Sequence, residues 1–251
     1  MSEVSYSSAQ SALTYFIADL HLAQNRPDIT ACFLSFLKNE APKAQALYIL
    51  GDLFEYWVGD DDDSTFIAEI SQAIKNLSEL DCTIYFIHGN RDFMVGKAYA
   101  KRCGMQLLEE EELVELYGKK VLILHGDTLC TDDVGYQEYR AVTQKRWLRK
   151  LFLLLPLFVR QRIANKIRSK SKQANTSKSL GIMDVNQQAV EQRFAEYPID
   201  YMIHGHTHRP ATHRVTQLGG RPERTVLGDW GETGWCIALS DGDARLEEFT
   251  L

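Results

Sequence analysis

Five short apolar segments, each ending in Gly, Asp, Asn or His, constrain the fold of this chain more than any other feature of its sequence. They are TYFIAD (Thr14–Asp19), ALYILGD (Ala46–Asp52), TIYFIHGN (Thr83–Asn90), VLILHGD (Val121–Asp127) and YMIHGH (Tyr201–His206). Runs of this length that are rich in aliphatic and aromatic residues are typical of buried strands. We therefore expect five strands that deliver polar side chains at their carboxyl ends.

Helical patterns lie between several of these segments. Pro27–Asn39 begins with Pro and repeats apolar residues at a spacing near 3.6, and Ser64–Leu80 begins with a capping Ser64. The alternation predicts an α/β fold, in which functional groups gather beyond the carboxyl ends of the strands. Near the C-terminus, RTVLGDW, GWCIALS and ARLEEF predict short strands in antiparallel pairs.

Composition excludes several classes of protein. The chain has 251 residues, 45% of them hydrophobic, and its net charge of −6 argues against a general nucleic-acid binder. Its five cysteines contain no C-x-x-C pair, which argues against a disulfide framework or a cysteine-rich zinc site and suits a reducing cytosol. No cationic signal sequence precedes Arg26, and we expect residues 1–13 to form a disordered tail before a domain at residues 14–251.

One segment is strongly basic. Tyr139 to Met183 contains 12 Lys and Arg residues and no Asp or Glu, so the rest of the chain carries a net charge of −18. We interpret residues 134–183, the cap segment, as a helical insertion in which Pro156 interrupts the helix. Its longest apolar run, Leu151–Val159, has nine residues, whereas a bilayer span needs about 20.

The cap segment has two interpretations. Cationic and apolar helices favour contact with an anionic lipid at a membrane surface. Alternatively, the segment is a plain helical hairpin that packs its apolar side chains on the domain. Those side chains are Leu151, Phe152, Leu154, Leu155 and Phe158.

The strand ends carry side chains with metal-binding chemistry. In chain order they read Asp19-x-His21, Gly51-Asp52, Gly89-Asn90-Arg91-Asp92, His125-Gly126-Asp127 and Gly205-His206-x-His208. Imidazole nitrogens combined with carboxylate and amide oxygens suit Mn²⁺, Fe or Zn²⁺ better than Ca²⁺ or Mg²⁺. Seven such ligands exceed the needs of one ion, so we expect two ions that share a bridging carboxylate.

The ordered series resembles the signature of the calcineurin-like metallophosphoesterases, which is D-x-H, G-D, G-N, H and G-H-x-H. The resemblance implies a four-layer α/β/β/α sandwich with a two-metal centre. It assigns one metal to Asp19, His21, Asp52 and His208. It assigns the other to Asp52, Asn90, His125 and His206, with Asp52 as the bridge.

Arg91 narrows the type of phosphate bond that the chain is expected to cleave. Many phosphomonoesterases and nucleases of this superfamily have G-N-H-[ED], whose His can protonate a leaving alkoxide, whereas this chain has G-N-R-D. Arg is a poor proton donor but binds phosphate oxygens bidentately. A phosphate monoester leaving from a diphosphate needs no protonation, because its second pKa is about 6. Arg91 therefore favours cleavage of a diphosphate link.

Longer segments, among them ADLHL, LYILGDLFEYWVGDDD, HGDTLCTDD and LPLFVRQRIA, resemble the UDP-2,3-diacylglucosamine diphosphatases of lipid A biosynthesis. This resemblance implies two Mn²⁺ per chain and hydrolysis to UMP and 2,3-diacylglucosamine 1-phosphate (lipid X), with metal-activated water attacking the α-phosphorus. Asp52, Asn90 and Arg91 would be catalytic. The resemblance also implies a peripheral protein on the cytoplasmic side of the inner membrane, with no stable protein partner. The substrate contacts that it implies are Asn90, Arg91, Asp133, Tyr136, Arg168, Ser171, Asn175, Lys178 and His206.

Other functions remain open at this level. A metal-dependent nuclease or nucleotide phosphodiesterase of the same superfamily would use the basic segment for a phosphate backbone. A non-catalytic scaffold is disfavoured by the complete ligand set. Structural roles are expected for His204 and for Asp92, which would orient Arg91 or cap the next helix. We expect Asp127 either to support a metal ligand or only to form a turn, and Asp60–Asp63 to form a solvated loop.

Overall fold

The computed structural model describes residues 12–176, 184–215 and 222–250. Residues 1–11 of the predicted tail lie outside the described residues, whereas Leu13 already begins the first strand. All five predicted apolar segments form strands, and these strands belong to two different sheets.

The first sheet has six strands in the order β11-β10-β1-β2-β3-β4. Their bounds are β1 Leu13–Ile17, β2 Ala46–Ile49, β3 Thr83–Phe86, β4 Met105–Leu107, β10 Thr233–Ser240 and β11 Asp243–Thr250. Strands β1 to β4 are parallel, and β10 runs antiparallel to both β1 and β11. The carboxyl ends of β1, β2 and β3 therefore lie at the same edge.

The second sheet has five strands in the order β5-β6-β7-β9-β8. Their bounds are β5 Glu111–Leu116, β6 Lys119–Leu124, β7 Tyr201–His204, β8 Ala211–Arg214 and β9 Glu223–Val226. The three inner strands are parallel, and the two outer strands pair antiparallel to them.

Seven α-helices occur in the described part of the chain. Their bounds are α1 Pro27–Asn39, α2 Thr65–Ser78, α3 Lys97–Cys103, α4 Val134–Thr143, α5 Arg146–Leu153, α6 Leu157–Thr176 and α7 Gln187–Glu196. Helix α1 has the predicted bounds, and Ser64 caps α2 as predicted, since its Oγ accepts the N–H of Ile67. Pro156 separates α5 from α6, which confirms the predicted interruption.

Alternating side chains divide the core into layers. Phe16 and Tyr48 of the first sheet pack against Ile123 and Ile203 of the second. The opposite face of the first sheet packs on α1, α2 and α3, and the opposite face of the second sheet packs on α7. The residues of those two outer layers include Ile17, Ile49, Phe33, Ile70 and Tyr99 on one side and Leu122, Met202, Val190 and Phe194 on the other. The predicted four-layer α/β/β/α sandwich is confirmed.

The prediction for the C-terminal strands was partly wrong. Strands β10 and β11 form an antiparallel pair, but β9 lies in the other sheet beside β7. The chain crosses between the sheets after β9, where Leu227 N–H donates to His204 O and Trp230 N–H donates to Asp19 O. Strand propensity does not show which sheet a strand joins, because the crossing depends on these distant backbone partners.

The cap segment is bound to the domain through arginines. Four of its arginines contact the domain: Arg140 with Asp127 and Glu110, Arg149 with the Phe93 carbonyl, Arg160 with Asp61, and Arg168 with Glu55. The Arg160 side chain is only 2% exposed. Asp61 is thus an anchor for the cap, and Asp60 accepts the N–H groups of Gly96 and Tyr99. The expectation of a solvated loop at Asp60–Asp63 was therefore wrong for these two residues.

The apolar side chains of the cap face outward. Phe152 packs against the main core, but Leu151, Leu153, Leu154, Leu155 and Phe158 are exposed, with Leu154 at 80%. The alternative of a hairpin packed on the domain therefore holds for Phe152 alone among the five residues that it named. No described helix combines the length and the apolar composition that a membrane crossing requires.

Asp92 holds two strand-end loops together. Its fully buried carboxylate accepts the backbone N–H groups of Asp52, Leu53 and Gly89 at 3.2, 2.8 and 2.9 Å. It neither orients Arg91 nor caps α3, whose N-cap is Gly96, so the prediction for Asp92 was wrong. An ionised carboxylate suits this place because it accepts hydrogen bonds from several donors at once.

The substitution Asp92→Ala should lower the free energy of unfolding by at least about 3 kcal/mol, because it leaves buried N–H groups without an acceptor. Urea denaturation with EDTA present measures this change without a contribution from bound metal. The exposed Asp81 provides the matched control, since Asp81→Ala should stay within about 0.5 kcal/mol of the parent protein. A loss below about 1 kcal/mol for Asp92→Ala would contradict this role.

Candidate metal centre

The carboxyl ends of β1, β2 and β3 meet those of β6 and β7 between the two sheets. All seven predicted ligands converge there: Asp19, His21, Asp52, Asn90, His125, His206 and His208. Asp19, Asp52 and His125 are almost completely buried.

Asp19, His21 and His208 form the first group, in which one ligand atom of each lies within 4.8 Å of the others. His21 Nε2 lies 3.3 Å from His208 Nε2, and His208 Nε2 lies 3.5 Å from Asp19 Oδ1. Asp52 adds its Oδ2 at 3.9 Å from His21 Nε2. These four atoms are the first predicted ligand set.

Asn90, His125 and His206 form the second group around the other oxygen of Asp52. His125 Nε2 lies 3.7 Å from Asp52 Oδ1 and 3.0 Å from Asn90 Oδ1. His206 Nδ1 lies 2.8 Å from Asn90 Oδ1. Asp52 therefore presents one oxygen to each group, which is the arrangement a bridging carboxylate requires.

The outer nitrogens of three histidines face acceptors. His125 Nδ1 lies 2.8 Å from Leu50 O. His21 Nδ1 lies 3.5 Å from Glu55 Oε2, and His208 Nδ1 lies 3.5 Å from Asp229 Oδ2. A proton on each Nδ1 leaves the inward Nε2 with its lone pair, as a metal ligand needs.

The backbone is strained at the same residues. Asp19, His21, Asp52, His206 and His208 all have φ between 50° and 70°, in the left-handed region that side chains other than Gly disfavour. Each such residue costs about 1–3 kcal/mol, and strain of this kind concentrates at functional sites. Among the described residues, only two other non-glycine residues have a positive φ, Tyr117 and Asp241.

Two glycines allow the ligands to approach the backbone. A Cβ at Gly89 would lie 2.2 Å from Asp52 Oδ1, and a Cβ at Gly205 would lie 2.2 Å from Asp19 Oδ2. Side chains at these positions would displace two of the predicted ligands.

The buried carboxylates of the cluster would be stabilised by a nearby positive charge. Burial raises the pKa of Asp52 to about 7, against the opposing effect of His125. Burial would lower the pKa of His125, yet Asp52 and Asp19 raise it to about 9. Among the described residues, Asp19 Oδ1 is buried without a hydrogen-bond partner. Nitrogen and oxygen donors with these properties fit divalent cations of the Mn²⁺, Fe or Zn²⁺ type.

Arg91 borders the cluster, and its backbone is fixed while its side chain keeps a donor for a ligand. Its N–H donates to Asp52 Oδ1 at 2.8 Å, and its carbonyl accepts the N–H of Trp57 at 3.1 Å, so the backbone is fixed from both sides. Its Nε is buried and has no hydrogen-bond partner in the described part of the chain. A buried, unpaired donor of a permanent cation is suited to an anionic ligand.

The structure describes the side chains of three predicted substrate residues in or next to the cap, and each makes a different contact. The Tyr136 ring lies 5.9 Å from the His206 ring, and its hydroxyl donates to Asp127 Oδ2 at 2.6 Å. Asp133 caps α4 by accepting the N–H of Tyr136. Arg168 Nε lies 2.6 Å from Glu55 Oε1. The side chains of Ser171 and Asn175, which stand on α6, and the whole of Lys178 lie outside the described residues.

Four further residues lie around the candidate ligands or the adjoining cap. The Asp127 carboxylate accepts from Tyr136 and Arg140, so its described side-chain hydrogen bonds join it to the cap and not to a candidate metal ligand. His204 is buried, accepts from Arg224 and donates to Gly205 O, in agreement with the structural role expected for it. Glu55 and Asp229 were missed by the sequence analysis, because no spacing rule links a carboxylate to the outer nitrogen of a distant histidine.

Removal of metal should destabilise the protein, and Mn²⁺ at about 100 times its Kd should raise Tm by about 5–10 °C relative to EDTA. Differential scanning calorimetry measures the shift. His208→Asn should lose most of it because a ligand is removed, whereas His213→Asn, at an exposed histidine of β8, should keep it. Equal shifts in the two variants would refute the placement of the metal at His208.

Comparison with known proteins places the chain in a family. Residues 13–210 match the family model described as calcineurin-like phosphoesterase. The UDP-2,3-diacylglucosamine hydrolase of Escherichia coli O7:K1 is 55% identical over 236 residues, which cover 94% of this chain and 98% of that protein. The proteins of the same name from Escherichia fergusonii and Shigella boydii serotype 18 have the same identity and coverage. The chain therefore belongs to the calcineurin-like phosphoesterases and, within them, to the family of the UDP-2,3-diacylglucosamine hydrolases.

Proposed function

We propose that this chain hydrolyses the diphosphate bond of UDP-2,3-diacylglucosamine to UMP and 2,3-diacylglucosamine 1-phosphate, using two Mn²⁺ ions. The observation that carries the proposal is the position of an apolar, basic cap beside a cluster of seven metal-ligand candidates. The cluster of ligand candidates suits phosphoryl chemistry, and the apolar, basic cap suits an acylated anion. The names of the relatives agree with this combination.

In the proposed centre, Asp19, His21 and His208 hold one cation, and Asn90, His125 and His206 hold the other. Asp52 bridges them, which its two differently directed oxygens support. Two such cations, when bound, supply Lewis-acid charge and lower the pKa of a coordinated water. The outer partners Glu55, Asp229 and Leu50 keep the inward histidine nitrogens unprotonated.

Arg91 binds the phosphoryl oxygens in this proposal. Its backbone is fixed against Asp52 and Trp57, while its buried Nε lacks a partner among the described residues. A guanidinium held in this way neutralises charge that develops on phosphorus-bound oxygens. It donates no proton to the leaving group, which a phosphate monoester of pKa about 6 does not need.

The cap residues recognise the remainder of the substrate. Tyr136 offers its ring beside His206, since its hydroxyl is already bonded to Asp127. Arg168 offers a cation at the cap face nearest His21, through Glu55. We extend the proposal to Asp133, Ser171, Asn175 and Lys178, because the family resemblance implies that these four residues contact the substrate.

Membrane association follows from the outer surface of the cap. Trp147, Leu154 and Phe158 are 61%, 80% and 57% exposed. Helices α5 and α6 also expose Arg146, Lys150, Arg162 and Lys166, and the Arg162 guanidinium lies 5.6 Å from the centre of the Phe158 ring. Helices that expose both apolar and cationic side chains bind interfaces that contain anionic lipid. We therefore propose a peripheral protein at the cytoplasmic face of the inner membrane, with no stable protein partner.

Incubation of the purified protein with Mn²⁺ and UDP-2,3-diacylglucosamine should release UMP, and EDTA should abolish the release. Unacylated UDP-N-acetylglucosamine, measured alongside, should release far less UMP because it cannot use the apolar cap. Chromatographic quantification of UMP measures both reactions.

Two results would contradict the proposed substrate. Equal turnover of both UDP-sugars would remove the role of the acyl chains. Release from neither, accompanied by salt-sensitive cleavage of DNA or RNA, would favour the nuclease alternative.

Leu154→Asp should weaken binding to vesicles that contain phosphatidylglycerol by tenfold or more, because about 1.5–3 kcal/mol of apolar burial is replaced by a charge. Vesicle sedimentation measures the binding. Leu80→Asp is the matched control, since Leu80 is 55% exposed but lies at the end of α2, away from the cap segment. Equal losses in both variants would show that the cap is not the membrane-binding surface.

A further inference from the structure

Glu55 stands between the metal centre and the cap. Its Oε2 lies 3.5 Å from His21 Nδ1, and its Oε1 lies 2.6 Å from Arg168 Nε. The carboxylate is 15% exposed, so neither contact is a freely solvated surface pair. One side chain thus faces a candidate metal ligand with one oxygen and a cap cation with the other.

Glu55 is placed to accept a hydrogen bond from the outer nitrogen of His21. His21 aims its Nε2 at His208 and Asp52, so its Nδ1 carries the proton that needs an outer acceptor. Among the described residues, the buried His21 Nδ1 has no hydrogen bond, and Glu55 Oε2 is the carboxylate oxygen that faces it.

The contact with Arg168 ties a helix to the same carboxylate. Arg168 stands on α6 and is 39% exposed, and it is the arginine of this helix that contacts Glu55. The other described arginine anchor of α6, Arg160, binds Asp61 and the Val58 carbonyl. Among the arginine anchors of α6 whose side chains the structure describes, the Arg168 anchor is therefore the one that runs through a residue facing a candidate metal ligand.

We infer that Glu55 is a positioning residue that couples occupancy of the metal centre to the placement of α6. A cation on His21 Nε2 makes its Nδ1–H a stronger donor and fixes Glu55. The fixed carboxylate then holds Arg168, the cap cation that the proposed function assigns to the substrate. The inference rests on the proposed metal centre but not on the identity of the substrate.

Glu55→Gln breaks the coupling while it keeps the side-chain shape. A carboxylate accepts at both oxygens, whereas an amide accepts at one atom and donates at the other. The Gln side chain can therefore satisfy His21 or Arg168 but not both, because each of them offers a donor.

Asp229→Asn is the matched control. Asp229 supports His208 through one oxygen at 3.5 Å, and no cap residue is joined to it by a described ion pair. Its amide can still accept from His208. This variant therefore perturbs the outer partner of a candidate ligand without touching α6.

The test follows hydrogen exchange of the amides of residues 157–168 with and without saturating Mn²⁺, in the full chain and without substrate. In the parent protein Mn²⁺ should slow this exchange several-fold, and Asp229→Asn should keep the response. Glu55→Gln and Arg168→Met should lose it. Titration calorimetry with Mn²⁺ supplies the second measurement, in which Glu55→Gln binds up to about tenfold more weakly. Arg168→Met should bind Mn²⁺ more weakly by the same factor by which Mn²⁺ slows the exchange of α6 in the parent, because the coupling is reciprocal.

The outcomes separate the two proposals. A Glu55→Gln protein whose α6 responds to Mn²⁺ like the parent overturns the coupling, and so does a parent protein whose α6 does not respond. Absence of Mn²⁺ binding by the parent overturns both the metal centre and the coupling. Mn²⁺ binding without UMP release overturns only the proposed substrate, because the exchange measurement contains no substrate.

Discussion

A buried cluster of carboxylates and imidazoles between two sheets is the constraint on which the rest of this structure depends. Asp19 and Asp52 are withdrawn from water with no arginine or lysine paired to them by a described ion pair, and the side chains in their described ion pairs are histidines. Burial of charge on this scale is unfavourable unless cations compensate it. The left-handed backbone at five of the ligand candidates adds to this cost, which bound metal would offset.

The fold supplies the geometry that brings these groups together. Parallel strands in each sheet end at one edge, and the two sheets stack so that those edges adjoin. Short loops then carry the ligands, and Asp92 fixes the loops after β2 and β3 through their backbone N–H groups. Rigid strands place the loops, and the buried Asp92 keeps them from relaxing.

The basic cap segment combines two uses of positive charge. Arg140, Arg160 and Arg168 pair with carboxylates of the domain and attach the cap. Arg146, Lys150, Arg162 and Lys166 stay exposed on helices that also expose apolar side chains. The charge pattern alone does not divide the basic residues between these uses. The carboxylate partners of Arg160 and Arg168, Asp61 and Glu55, are distant in the chain and leave no trace in the local sequence.

The sequence by itself determined the local features: the five apolar segments as strands, the capped α2, the break at Pro156 and the set of polar residues at the strand ends. These depend on side-chain size, periodicity and backbone preference, which act over a few residues. Only the tertiary structure decided that β9 joins the second sheet, that Asp60 and Asp61 bind the domain and cap, and that Glu55 faces both His21 and Arg168. Those contacts join residues far apart in the chain, and they exist only where packing of the two sheets and the cap brings them within a few ångströms.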